Sequence, residues 1–467
     1  MPDGAPWTTA QIARLRHGID ALLRAPTLRG AQIGFLAIDA TRAIVLYSRN
    51  ADEEFMPASN FKLLAGSAAL RRLGINFAYV TTVLADAAPS GGVLDGNLYL
   101  RGGGDSLLGA ADLDAAAAAV AAAGVTRVTG SVVTDASHDD RQRLGYGWSW
   151  DDLPYYYAPV VTALELEDGV VHVRMIPGSA AGTPVVLRVT PESSAFTIDD
   201  RLRTGPRGSH DTSDIVRPWD EPRTIRLTGN YPLGARESGD LEPSVPDPES
   251  YAGDVFARAL AARGVAVSGG VRSGRTPARP ITLWSHDSLA MPKLLARFWY
   301  PSDNLMGELL LKELGVMRFG EPGTDAHGAI VERQYLRSIG VDPDTVSIAD
   351  GSGLSQYDRI TPRDLVAILQ SDWRGPDRDV VIDALPLSGV RGTLRRAYIG
   401  TPAERRVYAK TGSISHVRTI SGFVVTRTHG VITFSLLINQ WVDEDRRRGS
   451  VQLAKVRAAI FSLMATQ

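Results

Sequence analysis

The chain has 467 residues, 44% hydrophobic and 22% charged, so a soluble protein of two or three domains is expected rather than a disordered chain or a single core. Its 50 Lys and Arg against 52 Asp and Glu leave a formal charge of -2, which offers no polyanion-binding surface and argues against nucleic acid as a partner. Cysteine is absent and the eight histidines are scattered without a His-x-x-x-His pair, so disulfides, thiol catalysis and a metal site are not expected.

The first residues, Met1 to Pro6, show no basic stretch followed by an apolar core, so no signal peptide is expected in this chain. Thr8 with Gln11 resembles a capping box, and Ile12, Leu15, Ile19, Leu22 and Leu23 follow at helical spacing. Gln32 to Ile38 and Ala43 to Ser48 read as two strands about the turn Asp39 to Arg42. They deliver the chain to the loop and apolar helix of Pro57 to Leu70.

In that stretch Ser59 stands at the helix mouth and Lys62 follows three residues later on the same face. A serine hydroxyl is a poor nucleophile until a neighbouring base takes its proton, and one turn brings an amine within reach. The free backbone NH groups of the helix start can also stabilise an oxyanion. Alone, Ser-x-x-Lys is a weak pattern, equally well an N-cap serine with a surface lysine.

From about Phe77 to Arg275 short β-like runs dominate: Tyr79 to Leu84, Leu98 to Leu100, Val132 to Thr134, Val170 to Val173, Val185 to Val189 and Thr224 to Leu227. The Ala115 to Ala123 run follows Asp112 and Asp114 and is too short to span a bilayer, so it reads as a packed helix. Gly102-Gly103-Gly104-Asp105 lacks the Lys-Ser/Thr of a phosphate loop and reads as a tight structural turn. Glu165-Leu166-Glu167 is expected on a solvent-facing strand.

Helices are expected over Ser250 to Arg263, Pro292 to Trp299 and a stretch carrying Leu305, Leu309, Leu310 and Leu314. Between the last two lies Ser302-Asp303-Asn304, either a plain cap of the next helix or a polar trio pointing into a cleft. Lys410-Thr411-Gly412-Ser413 closes an edge-like strand, strands Thr419 to Thr426 and Val431 to Ile438 follow, and Val451, Leu453, Val456, Ile460 and Leu463 mark a last helix. The two ends of the chain thus build one antiparallel sheet faced by both terminal helices, and the β-rich middle is inserted into it.

Ser59-Asn60-Phe61-Lys62, Ser302-Asp303-Asn304 and Lys410-Thr411-Gly412 occur in the order Ser-x-x-Lys, Ser-x-Asn, Lys-Thr-Gly. With these motifs the chain resembles the penicillin-binding proteins and serine β-lactamases. The long gap between Ser59 and Ser302 is similar to that of the class C low-molecular-mass penicillin-binding proteins, the D-Ala-D-Ala carboxypeptidase/endopeptidase family. So are Leu98 to Asp105, Gly130 to Asp135, Asp350 to Ser355 and Leu385 to Leu394.

The resemblance implies a multidomain α/β (α+β) protein with a serine transpeptidase/β-lactamase-like catalytic domain and a large, mainly β insertion. Its units would be residues 1–75 with 286–467 (catalytic), 76–165 with 240–285 (domain II) and 166–239 (domain III). It implies a metal-free, cofactor-free serine D,D-peptidase that cleaves D-Ala-D-Ala stem peptides, with peptidoglycan cross-links as a second candidate substrate, outside the cytoplasm and is acylated by β-lactam antibiotics. Ser59 would be the nucleophile, Lys62 its base and Ser302 the proton relay, with Asn304 holding Lys62 or the substrate backbone. Lys410 and Thr411 would bind the terminal carboxylate beside a bare Gly412, with the NH groups of Ser59 and Ser413 as oxyanion hole. Burial and the second cation at Lys410 are both expected to lower Lys62. Asp152, in Trp148 to Leu153, would touch the diamino acid of the stem peptide. A serine β-lactamase or esterase of the same fold, and a non-catalytic peptidoglycan-binding relative, remain the alternatives.

Overall fold

The computed structural model describes residues 4–235, 239–442 and 446–467. Its centre is the strand Val431–Asn439, every residue of which is buried. Side chains alternate across a strand, so such a strand must be covered on both faces. Ile432, Phe434, Leu436 and Ile438 pack with Leu15 and Ile19 of the helix Thr9–Leu23 and with Ile460, Phe461 and Met464 of the helix Arg446–Ala465. Thr433, Ser435, Leu437 and Asn439 face the opposite layer, where polar partners await three of them. The capping box of Thr8 and Gln11 opens the first helix as its sequence predicts.

Around this strand the sheet runs in the order Val407–Ile414, Val417–Val425, Val431–Asn439, Gln32–Asp39, Val45–Arg49, antiparallel throughout. Both ends of the chain therefore meet in one sheet, and the strand carrying Lys410 lies at its edge, as expected. The opposite layer holds the helices Lys62–Leu73, Met291–Trp299, Asn304–Phe319, Asp325–Ser338, Pro362–Arg374 and Arg378–Ala384 around a second apolar cluster. The last three go beyond the sequence expectations. For Pro362–Arg374 a signal exists, since Thr361 and Asp364 form a capping box and Pro362 occupies the first turn.

The inserted segment builds a mixed five-stranded sheet, ordered Val271–Ser273, Val132–Asp135, Leu98–Arg101, Val80–Ala85, Ile281–Asp287, with several smaller sheets beyond it. The alanine run is helical from Ala115 to Ala122, in the helix Ala110–Ala122, and Ala123 caps it. Residues as distant as Val83, Val132, Met175, Leu227 and Phe256 share one apolar cluster, so the insertion has a continuous core. Gly104 has φ +99°, and an added Cβ at Gly102 would come 2.2 Å from the Ala163 carbonyl oxygen, which makes this glycine run a tight structural turn. Glu165-Leu166-Glu167 does not form the solvent-facing strand expected from the sequence. Glu165 is fully buried on an irregular segment and accepts from the Thr162 NH at 2.8 Å, while Glu167 opens a single 3-10 turn. Burial raises the Glu165 pKa well above the carboxylate range, so the group can be enclosed as a neutral acid.

Where the insertion meets the helical layer, His138 lies 2.7 Å from Glu313 and 3.0 Å from Glu321. Burial opposes its charge, but the hydrogen bond and charge of Glu313, with Asp139 and Glu321, outweigh it and raise the imidazole to about 9. An unfolded histidine titrates near 6.5, so this contribution is fully present below about pH 6.5 and fades as pH climbs through about 9. His138→Gln should cost roughly 3 kcal/mol at pH 6, read as a Tm deficit that closes by pH 10. A deficit that does not change with pH would mean that packing, not charge, is what His138 supplies.

Candidate active site

The turn bearing Ser59 is pinned from below by the polar residues of the sheet. Asn439 accepts from the Met56 NH at 2.8 Å and donates to its carbonyl at 3.0 Å. Thr419 donates to the Pro57 carbonyl at 2.7 Å, and Asn60 donates to the Ser421 hydroxyl at 2.6 Å, which in turn donates to Ser435 at 2.8 Å. Between them Ala58 is held at φ +47°, a left-handed conformation costing on the order of 1–3 kcal/mol in a non-glycine residue. The chain then makes a 3-10 turn over Ala58–Phe61 and enters the helix at Lys62, so Ser59 stands in the tight turn just ahead of the helix.

Lys62 is completely buried and its Nζ donates to three acceptors: Ser59 Oγ at 3.1 Å, Asn304 Oδ1 at 2.5 Å and the Ser352 carbonyl at 2.6 Å. Two of these have no proton to give. If the amine loses a proton, its lone pair can therefore be satisfied only by the Ser59 hydroxyl, which is the geometry of a base on a nucleophile. Burial lowers Lys62 to about 8, while the nearby carboxyls of Asp350, Asp303, Glu308 and Asp358 oppose the fall. Lys410, also fully buried, is pushed well below the lysine range by burial and by the Lys62 charge. Burial is the leading cause at both amines, and two ammonium groups so enclosed each disfavour the other's charge, the direction expected from the sequence.

The interhelical trio does both things its sequence allows. Asp303 caps the helix Asn304–Phe319 by accepting from the Met306 NH at 3.1 Å. Ser302, at φ +72°, accepts from Lys410 Nζ at 2.7 Å, while Asn304 holds Lys62 and donates through Nδ2 to the Tyr157 carbonyl at 2.6 Å. Thr411 Oγ1 is 2.7 Å from Thr393 Oγ1. Gly412 has a steric reason: an added Cβ would lie 2.2 Å from Thr419 Oγ1 and 2.9 Å from the Ser59 nitrogen. The strand consequently runs directly beside Ser59 and on into Ser413. Hydrogen bonds thus join Ser59, Lys62 and Asn304 and pair Ser302 with Lys410, while the stretch Thr411 to Ser413 runs alongside Ser59.

Asp152 stands outside this group. It accepts from the Tyr157 hydroxyl at 2.9 Å and meets the centre only through that residue's carbonyl on Asn304. Sequence reasoning marked Asp350 to Ser355 as family-like but gave it no part in fixing Lys62. Asp350 accepts from the NH groups of Ser352, Gly353 and Ser355, from the Ser352 hydroxyl and from Trp148 Nε1, and so winds residues 350–355 around its carboxylate and aims the Ser352 carbonyl at Lys62. The small residues of Asp-Gly-Ser-Gly were the available signal. A cavity of about 780 Å³ beside Asp139, Arg143 and Glu249 has no residue of the three motifs in its lining. Among the described residues there is no cluster able to hold a metal ion and no helix long and apolar enough to cross a membrane.

A serine in a strained turn, faced by a buried lysine and flanked by an edge strand of a five-stranded sheet, defines the penicillin-recognising serine acyl-transferases. The D-Ala-D-Ala carboxypeptidase 3 (S13) family profile matches residues 15–460, and the chain belongs to that family of serine peptidases. It is 36% identical over 446 residues to a D-alanyl-D-alanine carboxypeptidase of Actinomadura sp. (strain R39), covering 92% of this chain and 82% of that protein. To the D-alanyl-D-alanine carboxypeptidase DacB of Haemophilus influenzae it is 24% identical, over 89% of this chain and 87% of that one. The crystal structure of penicillin binding protein 4 from Haemophilus influenzae shares the fold, with a TM-score of 0.85 at 22% identity over 96% of this chain and 99% of that chain. The expected class, a serine D,D-peptidase of class C low-molecular-mass penicillin-binding type, is the class found.

Proposed function

We propose that the enzyme cleaves the terminal D-Ala-D-Ala bond of peptidoglycan stem peptides through an acyl-enzyme on Ser59, and that β-lactams acylate the same hydroxyl. The observation that carries this reading is Lys62, held on Ser59 Oγ at 3.1 Å while its other acceptors have no proton to yield. Neutral Lys62 takes the Ser59 proton as Oγ attacks the carbonyl carbon. The NH groups of Ser59 and Ser413 receive the oxyanion, each such donor being worth on the order of 3 kcal/mol. Ser302 relays the proton taken up by Lys62 to the departing amine; water then attacks the ester carbonyl, gives a proton to Lys62, and that proton returns to Ser59 Oγ as the acid leaves. The terminal carboxylate binds at Lys410 and Thr411, and its arrival favours the charged form of Lys410. Asp152 is assigned to the stem-peptide side chain.

The substrate lies outside the cytoplasm, and the enzyme is assigned there with it. The division proposed is a catalytic unit (1–75 with 286–467), domain II (76–165 with 240–285) and domain III (166–239); the five-stranded sheet of the chain ends supports the first, whereas Gly239–Leu241 pairs with His172–Ile176 across the boundary between the other two. The test is intact-mass measurement after benzylpenicillin, with peptide mapping, beside an assay of D-alanine release from a pentapeptide. One adduct on the Ser59 peptide together with D-alanine release is expected. A label elsewhere, or no D-alanine, sinks the reading.

Because only neutral Lys62 can act as base, kcat/KM should fall about tenfold per pH unit below about 8 and level off above it. Stopped-flow acylation across pH 6–10 measures this, and a flat profile would remove Lys62 from the role.

A further inference from the structure

Beside Thr411 lies a cavity of about 550 Å³ lined by Tyr300, Pro301 and Thr393 together with Arg297, Arg395 and Arg396. Two of its lining residues adjoin the site: Pro301 precedes Ser302, and Thr393 Oγ1 is bonded to Thr411 Oγ1 at 2.7 Å. Arg297 reaches Asp168 only at 3.6 Å. Arg395 and Arg396 are exposed and have no acidic partner among the described residues. Neighbouring Arg391 behaves differently, donating to the Leu385 and Ile382 carbonyls and lying over the Tyr300 and Tyr408 rings, which stiffens the wall. Solvated arginines are ordinary on a surface. Three around one opening next to a peptidase centre, in a chain of net charge -2, are a local anionic attraction the whole protein lacks.

The edge strand gives this cavity a direction. At its far end, past Ser413, lies a separate cavity of about 370 Å³ lined by Ser413, Ile414, His416, Arg418 and Trp441. A peptide laid along the strand must place its acyl part at one end and its leaving part at the other. Ser302 and Thr411, the groups assigned to the leaving amine and its carboxylate, stand at the arginine end. We infer that the cavity of Arg297, Arg395 and Arg396 receives the carboxylates of the leaving-side peptide when the substrate is cross-linked, an acidic peptide longer than one D-alanine. This rests on the serine-peptidase reading above and adds to it a recognition site for cross-links. Guanidinium forks suit carboxylates, and at an exposed site their attraction weakens with salt.

The test compares the wild type with the R395A/R396A double variant on four reactions: a cross-linked muropeptide dimer, the same dimer with its leaving-side carboxylates amidated, a pentapeptide losing one D-alanine, and acylation by benzylpenicillin. For the acidic dimer kcat/KM should fall about tenfold, mainly through KM, and the wild-type advantage should shrink at high salt. The amidated dimer, the pentapeptide and penicillin should react as in the wild type, and lysines at both positions should restore part of the loss. An equal loss on both dimers, or none on the acidic one, overturns the inference. Failure of the wild type to acylate at all would instead overturn the reading beneath it.

Discussion

Ser59→Ala and Lys62→Met should each slow penicillin acylation and peptide turnover by about 10⁴- to 10⁶-fold, and the double variant should be no slower than the worse single. The non-additivity follows from geometry. The hydroxyl and the amine share one proton across 3.1 Å, so removing either leaves the other without a task. Met is chosen because it fills the buried stem of Lys62 without a charge. It strands the Asn304 and Ser352 oxygens, each at a cost of about 1–3 kcal/mol, offset by relief from burying an ammonium. Lys62→Arg should not rescue, because a guanidinium stays protonated at any working pH and cannot act as base. Rates from stopped-flow acylation, beside melting curves that establish folding, decide the matter. A Lys62→Met chain that acylates at the wild-type rate would show that another group takes the Ser59 proton.

The three motifs were legible because each is a short contiguous word, and the sheet because its strands and the flanking helix faces keep their periods. Val431–Asn439 is the instructive case: its alternating even residues are apolar, while Thr433, Ser435 and Asn439 mark the face toward the nucleophile turn. What could not be read is what depends on main chain. The Ser352 and Tyr157 carbonyls that receive Lys62 and Asn304 carry no side-chain signature, and any residue type supplies such a group. Glu165 was misplaced for a related reason. Two glutamates alternating about Leu166 suit a half-exposed strand, but at a junction between the insertion and the helical layer a neutral carboxyl can be enclosed instead.

Asp350 is the second position where a large effect is expected, although it lies behind the reacting groups. Its carboxylate gathers Ser352 N at 3.0 Å, Ser352 Oγ at 2.9 Å, Gly353 N at 2.6 Å, Ser355 N at 2.8 Å and Trp148 Nε1 at 2.8 Å. Asp350→Ala leaves these donors buried without an acceptor, at about 1–3 kcal/mol each before relaxation and water entry. Against that, Asp350 is one cause of the raised pKa values of the buried Glu308, Asp358 and Glu332, and its removal relieves them. A net loss of roughly 3–5 kcal/mol is the balance. The loop is pressed against the nucleophile turn, since a Cβ at Gly353 would come 2.1 Å from the Ala58 carbonyl oxygen, so loosening it also displaces the Ser352 carbonyl from Lys62. Acylation should drop about 10²-fold, the scale of a misplacement near an ångström. Asp350→Asn keeps the shape and one acceptor oxygen but turns its NH2 toward two N–H donors, so it should lose part of the stability, less than Asp350→Ala. Its distinguishing readout is the pH profile. Asp350 holds the Lys62 pKa up, so neutralising it should move the midpoint of acylation from about 8 toward lower pH, the direction opposite to that of a general loosening that lets water reach the amine. A midpoint unmoved in Asp350→Asn would leave Asp350 with a role in folding alone.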